Sequence, residues 1–119
     1  MRVPILKQGS YLIAVIQSAL TDADLLALQD ELTEKVGGRE IKGVIVDVTA
    51  LDIMDSFSTR TLRSIAYMVK LRGADTVIVG IKPEIAFSMV QLGLTLEGVM
   101  TALDLDEGLA LLDRRSREV

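Results

Sequence analysis

The fold of this chain is decided by two neighbouring stretches, GVIVDV at residues 43–48 and DIMDSF at residues 52–57. The first is apolar and rich in β-branched residues, which is typical of a buried strand. The second is a short acidic loop that ends at Ser56, where the next helix is expected to begin. A phosphate on a serine at a helix N-terminus meets free backbone N–H groups and the positive end of the dipole. Ser56 is therefore a candidate phosphorylation switch, and the alternative interpretation is a plain helix N-cap.

Strand-like and helix-like patterns alternate along the rest of the chain. Helix starts are predicted at the capping-box pair Thr21 and Asp24 and at Pro83, and Gly37-Gly38 is a predicted helix stop. The order predicts an α/β fold in one domain over residues 1–119, with a mixed β-sheet of four to five strands and about four α-helices. The predicted strands are residues 3–7, 11–16, 43–48, 76–79 and an edge strand at 99–102, and the predicted helices are 21–36, 57–72, 83–92 and one that opens at 104–107.

Composition restricts the location and the partners. Half of the residues are hydrophobic, but no apolar run approaches the roughly 18–20 residues that a membrane span needs. The net charge of −4 argues against general binding to nucleic acid. The N-terminus has no signal-peptide pattern and the chain has no cysteine, so we expect a cytoplasmic protein that does not bind membranes. Part of the apolar surplus is expected on a surface that meets another protein.

The chain contains neither histidine nor cysteine, which removes most catalytic arrangements. A Ser-His-Asp triad, a cysteine nucleophile and a His/Cys zinc site cannot be built from it. There is also no glycine-rich nucleotide-binding motif. We therefore expect no enzymatic activity, no catalytic residues, no metal and no cofactor. The competing hypothesis is a Mg²⁺-dependent phosphoryl-transfer domain that would use Asp47, Asp52 and Asp55.

The helix after Ser56 shows three stripes when it is projected at 3.6 residues per turn. One stripe is apolar and faces the core, one is basic, and a mixed shoulder lies between them. The basic stripe is interpreted as a partner surface or as a solvated face, and Phe57 and Met68 as a contact patch or as edge-of-core residues. The core stripe holds Leu62, Ile65, Ala66 and Val69, the basic stripe Arg60, Arg63, Tyr67 and Lys70, and the shoulder Phe57, Thr61, Ser64 and Met68.

An apolar strand followed by Asp-x-x-Asp-Ser at the start of a helix resembles the STAS domain family. Within that family the chain is most similar to the RsbS-type branch, the small scaffold proteins of the stressosome. The similarity continues in PILK at 4–7, RGA at 72–74, GIKP at 80–83 and TALDL at 101–105. Sigma-factor antagonists usually carry a small residue and Gly-Leu-Gly after the serine, whereas this chain has FSTR at residues 57–60.

The resemblance implies a non-enzymatic scaffold that is phosphorylated on Ser56, with Ser58 and Thr59 as less favoured sites. It implies co-assembly with an RsbR-like STAS paralogue, self-association, and sequestration of an RsbT-like serine/threonine kinase. Phosphorylation under stress would release that kinase, and an RsbX-like phosphatase would reset the system. The alternative is a free anti-sigma-factor antagonist regulated through the same serine. Partner contacts are expected at Asp55, Phe57, Arg60, Arg63, Tyr67 and Met68.

Overall fold

The computed structural model describes residues 3–17, 20–37 and 40–117. Within these ranges it contains a five-stranded sheet and four helices, which confirms the predicted fold class. The elements are β1 (Ile5–Gln8), β2 (Tyr11–Val15), α1 (Asp22–Lys35), β3 (Gly43–Asp47), α2 (Ser56–Leu71), β4 (Asp75–Val79), α3 (Pro83–Gln91), β5 (Met100–Ala102) and α4 (Leu105–Arg117).

The sheet has the strand order β1-β2-β3-β4-β5. β1 and β2 form the predicted antiparallel hairpin, with Ile5 opposite Ala14. The remaining neighbours are parallel, and the chain returns between them through α1, α2 and α3. Parallel strands require such crossovers, because the chain must travel back to the starting edge before each new strand.

Two hydrophobic clusters lie on opposite faces of the sheet. Alternate residues of β3 divide between them: Val44 and Val46 belong to the larger cluster and Ile45 to the smaller one. The larger cluster contains the buried hydrophobic residues of α1, α2 and α3, whereas Leu112 of α4 packs in the smaller cluster. β3 is therefore buried on both faces, which explains its continuous apolar sequence. No helix in the described ranges has the length and apolar character to cross a membrane.

The helix ends agree with the sequence-based predictions except at α2. Thr21 and Asp24 form the predicted capping box, with reciprocal side-chain to backbone hydrogen bonds of 3.0 and 3.1 Å. α1 ends at Lys35, and Gly37 lies in the turn that follows, while Gly38 lies outside the described residues. α2 begins at Ser56, one residue earlier than predicted, and its N-cap is Asp55. The interpretation of Ser56 as the N-cap is therefore wrong.

Candidate functional site

The loop between β3 and α2 places the acidic residues and the candidate serine at the carboxyl end of the parallel strands. Met54 is buried and holds the loop on the core. Asp55 follows in an extended conformation, and its Oδ1 accepts a hydrogen bond from the backbone N–H of Ser58 at 2.8 Å. The Asp55 carboxylate thus satisfies one of the free N–H groups in the first turn of α2. Asp55 is the N-cap of this helix, and Ser56 is its first residue.

The electrostatics of Asp55 follow from this cap. The Ser58 backbone N–H that is hydrogen-bonded to the carboxylate lowers the pKa of Asp55 below its ordinary value, and the Ser58 side chain adds to the effect. The positive charge of Arg60 is a smaller contribution in the same direction. A hydrogen bond to a carboxylate stabilises its charged form. Asp55 is therefore a fixed negative charge directly beside Ser56.

The three candidate hydroxyl groups differ in accessibility. Ser56 is exposed to solvent. Ser58 is half-buried, and its backbone is tied to Asp55. Thr59 is only 1% exposed, and its hydroxyl donates to the backbone carbonyl of Asp55 at 2.9 Å. Ser56 is thus the most accessible of the three to an enzyme that approaches from outside.

A groove of about 330 Å³ opens next to this serine, between the start of α1 and the loop before α2. We call it the acidic groove. Its apolar wall includes Leu25, Leu51 and Leu62, and Ile53 at its rim is 78% exposed. The same groove is lined by three carboxylate side chains, those of Asp22, Asp52 and Asp55. It therefore offers an apolar contact surrounded by negative charge.

The three aspartates of the competing metal hypothesis are engaged separately. Asp47 Oδ1 accepts hydrogen bonds from the backbone N–H and the hydroxyl of Thr49, at 2.9 and 2.5 Å. Asp52 forms an ion pair with Lys82 at 2.7 Å, and Asp55 caps α2. Among the described residues no three acidic side chains are grouped closely enough to hold a metal ion. Asp52 and Asp55 thus share the acidic groove, but the three carboxylates do not form a metal-binding group.

The predicted basic stripe of α2 is partly occupied by contacts within the chain. Arg63 donates from one guanidinium nitrogen to the backbone carbonyl of Thr95 at 3.2 Å and lies 3.4 Å from its hydroxyl. Lys70 forms an ion pair with Asp75 at 2.9 Å. Arg60 and Tyr67 lie on the solvent-exposed side. The stripe is therefore divided into two residues that link α2 to neighbouring segments and two that face outward.

Phe57 and Met68, the predicted contact patch, are both half-buried. Phe57 packs against the larger hydrophobic cluster. Met68 faces α1, where its sulfur lies 3.5 Å from the hydroxyl of Thr33. Each side chain thus has a packing role within the domain, and their contact with a partner stays a prediction.

An exposed apolar surface lies at α3 and was not predicted from the sequence. Phe87, Val90 and Leu92 are 67%, 79% and 69% exposed. Isolated exposed apolar residues are ordinary, but Phe87 and Val90 are one turn apart on the same face of α3, and Leu92 follows the end of the helix. The sequence pattern that could have predicted this surface is the i, i+3 spacing of Phe87 and Val90. These two residues lie on the helix face opposite the buried residues Ile85 and Met89.

A mixed sheet with a capped helix after its central strand, and an exposed serine in that helix's first turn, define a class of small α/β domains. The comparison with known families identifies the class. The STAS domain family matches residues 2–107, and the chain belongs to that family.

Individual relatives agree with this assignment. RsbS from Moorella thermoacetica, in a variant with glutamate in place of a serine, is 37% identical and superposes with a TM-score of 0.83 over 98% of this chain and 99% of that one. A chain of the stressosome, described as a signal integration and transduction hub, is 38% identical, with a TM-score of 0.80 over 96% and 99% of the two chains.

The curated relatives are longer proteins. The RsbT co-antagonist protein RsbRA of Bacillus subtilis is 33% identical over 66 residues, which cover 56% of this chain and 24% of that protein. The matches to curated relatives span about a quarter of their length.

Proposed function

We propose that this chain is a non-enzymatic signalling scaffold of a bacterial stressosome. It co-assembles with RsbR-like paralogues in the cytoplasm and sequesters an RsbT-like switch kinase. Phosphorylation of Ser56 by that kinase during stress releases it, and an RsbX-like phosphatase removes the phosphate. We propose further that residues 1–119 form one STAS domain.

The similarity to known proteins supports the scaffold part of this proposal. The RsbS and stressosome chains match this chain over nearly their whole length at 37% and 38% identity. The RsbR-type relatives, named as RsbT co-antagonists, match over a shorter segment. A small single-domain partner of larger STAS proteins accounts for both kinds of match.

The observation that supports Ser56 as the phosphorylation switch is its exposure to solvent beside the negative charge of Asp55. In the transfer, the Ser56 hydroxyl oxygen attacks the γ-phosphorus of ATP, ADP leaves, and the proton passes to a base of the kinase. The product adds a charge of about −1.5 to −2 directly beside Asp55. The phosphate concentrates negative charge at this site and repels an acidic kinase surface. The affinity for the kinase therefore falls at the site of modification.

Co-assembly requires surfaces other than the serine. The apolar patch of Phe87 and Val90 on α3 is the surface that we assign to another STAS domain, either the RsbR-like paralogue or a second copy. Removal of such side chains from water favours association. The outward residues Arg60 and Tyr67 of α2 are proposed as contacts to the kinase or to a neighbouring domain.

Kinase binding by Ser56 variants tests the switch. We expect Ser56→Ala to bind the RsbT-like kinase at least as tightly as the wild type in the presence of ATP, because it cannot be phosphorylated. Ser56→Asp should bind more weakly, and Ser58→Ala serves as the matched control and should resemble the wild type. Equal binding by the Ala and Asp variants at Ser56 would remove this serine from the mechanism.

The mass of the assembly separates the scaffold from a free antagonist. The scaffold forms a very large particle when it is mixed with an RsbR-like paralogue, which analytical ultracentrifugation detects directly. A chain that stays a monomer or dimer in that mixture, and that binds an anti-sigma factor one to one, would instead be the free antagonist.

A further inference from the structure

A second groove lies away from Ser56, where β5 is shorter than its neighbour β4. β5 contains three residues, and its first pair joins Met100 to Val77. Asp75 and Thr76, the first two residues of β4, therefore extend beyond the start of β5. The space beside them forms a groove of about 340 Å³ between α2, the loop before β5 and the end of α4. We call it the β4 groove; six of the residues that line it are Arg63, Tyr67, Lys70, Thr76, Val99 and Arg115.

Thr76 is the unusual residue in this groove. It is only 5% exposed, and its hydroxyl oxygen has no hydrogen-bond partner within the described part of the chain. Residues of a strand alternate between faces, so Thr76 lies on the same face as Ile78, which packs with α2 in the larger cluster. A buried polar group without a partner is costly and uncommon in native proteins. Thr76 is one of the residues that line the β4 groove, so a molecule bound there is the candidate partner for its hydroxyl.

The charges around Thr76 favour an anion. Three cationic side chains, those of Arg63, Lys70 and Arg115, line the groove. Lys70 and Arg115 both face one carboxylate, Asp75, at 2.9 and 3.6 Å. Glu97 is the second carboxylate in the lining, so the local balance is positive in a protein whose net charge is −4. Guanidinium and ammonium groups hydrogen-bond strongly to carboxylate and phosphate oxygens.

We infer that the β4 groove is a binding site for a small organic anion, whose phosphate or carboxylate group is held by Arg63 and Lys70 while a polar atom reaches the Thr76 hydroxyl. The volume lies in the lower part of the range for small-molecule sites. Val99 and the ring of Tyr67 supply apolar surface for the rest of the molecule. The site does not involve Ser56, so a test of the anion site and a test of the proposed switch can fail independently.

Amide chemical shifts in two-dimensional NMR test this inference. The protein is titrated separately with inorganic phosphate and with succinate at constant ionic strength, because surface charges respond to salt alone. We expect saturating shift changes at residues 76 and 97–100 with at least one of the two anions. Saturation with phosphate alone would assign phosphoryl ligands, and saturation with succinate alone would assign carboxylates.

Variants at Thr76 separate a true contact from a general effect of charge. Thr76→Val removes the hydroxyl and keeps the shape, so affinity should fall about five-fold, which corresponds to the ~1 kcal/mol of one neutral hydrogen bond. Thr76→Ser keeps the hydroxyl and should bind within two-fold of the wild type. Arg63→Gln should weaken binding about ten-fold or more, because it removes a charged donor. Arg60→Gln, on the same helix but outside the groove lining, is the matched control and should leave the affinity unchanged.

Thermal unfolding supplies a second readout that does not depend on assignments. The bound anion should raise the melting temperature of the wild type and of Thr76→Ser, and should raise that of Thr76→Val much less. The inference is overturned if neither anion gives saturable changes at the groove. It is also overturned if Thr76→Val and Thr76→Ser bind equally well, or if the groove variants affect only association with another protein.

Discussion

The N-cap at Asp55 allows a quantitative test of how the switch helix is held. Asp55→Ala removes the carboxylate that accepts the Ser58 N–H at 2.8 Å, but it keeps the backbone carbonyl that accepts from Thr59. The Asp55 side chain is exposed, so the change creates no cavity in the core. Loss of an N-cap of this kind costs about 0.5–2 kcal/mol. We expect Asp55→Ala to lower the free energy of unfolding by ~1 kcal/mol at pH 7.

The same contact makes the effect depend on pH. The Ser58 backbone N–H lowers the pKa of Asp55 in the folded protein. A carboxyl group whose pKa is lower in the folded state stabilises the fold above its unfolded pKa, about 3.9 for aspartate, and loses this contribution as the pH falls through the folded pKa. The difference in stability between the wild type and Asp55→Ala should therefore be complete at pH 7 and should shrink as the pH falls below about 4.

Urea unfolding followed by circular dichroism measures both effects. Asp55→Asn retains a hydrogen-bond acceptor without a charge and should lose less stability than Asp55→Ala at pH 7. Asp52→Ala is the matched control, because it removes an exposed carboxylate paired with Lys82 and should cost less than about 1 kcal/mol. The reasoning is refuted if Asp55→Ala is as stable as the wild type at pH 7, or if its deficit is unchanged at low pH.

Three further predictions concern other parts of the fold. Gly80→Ala should lower the free energy of unfolding in urea by more than about 1 kcal/mol, because Gly80 has φ +81 and an added Cβ would collide with Thr49. Gly73 has φ +93 but open space around it, so the control Gly73→Ala should cost less. Leu112→Ala should lower the free energy of unfolding by about 2–5 kcal/mol, since Leu112 is buried in the smaller cluster. A negligible loss of stability would mean that α4 beyond residue 107, where the family match ends, is not part of the folded domain. Phe87→Ser should leave the unfolding midpoint nearly unchanged and weaken co-assembly with an RsbR-like paralogue in ultracentrifugation, and intact assembly would exclude this patch as the contact.

Local signals made most of the fold predictable. The apolar run at residues 43–48, the capping box at Thr21 and the proline at position 83 each act through neighbours in sequence, and each lies where the sequence analysis placed it. The start of α2 was missed by one residue because Asp55 and Ser56 are both favourable N-cap residues. The burial of Met54 and the extended backbone of Asp55 decide between them, and neither can be derived from the local sequence.

Features of the surface depend on segments that are distant in sequence. Thr76 is an ordinary strand residue in the sequence, and its unpartnered hydroxyl becomes visible only when the length of β5 and the position of α2 are known. Arg63 was predicted to be exposed on a basic stripe, but its contact with Thr95 depends on where the loop after α3 returns. The periodicity of a single helix does not contain that information.

The central claim, that Ser56 is the site of the switch, is tested most directly by phosphosite mapping. Tandem mass spectrometry is applied to the wild type and to Ser56→Ala after incubation with ATP and the RsbT-like kinase from the same genome. The account predicts phosphate on Ser56 in the wild type and little on the variant, because Ser58 is half-buried and Thr59 is 1% exposed. Phosphate on Ser58 or Thr59 with Ser56 unmodified would contradict it, as would an unmodified chain when the kinase labels a control STAS protein.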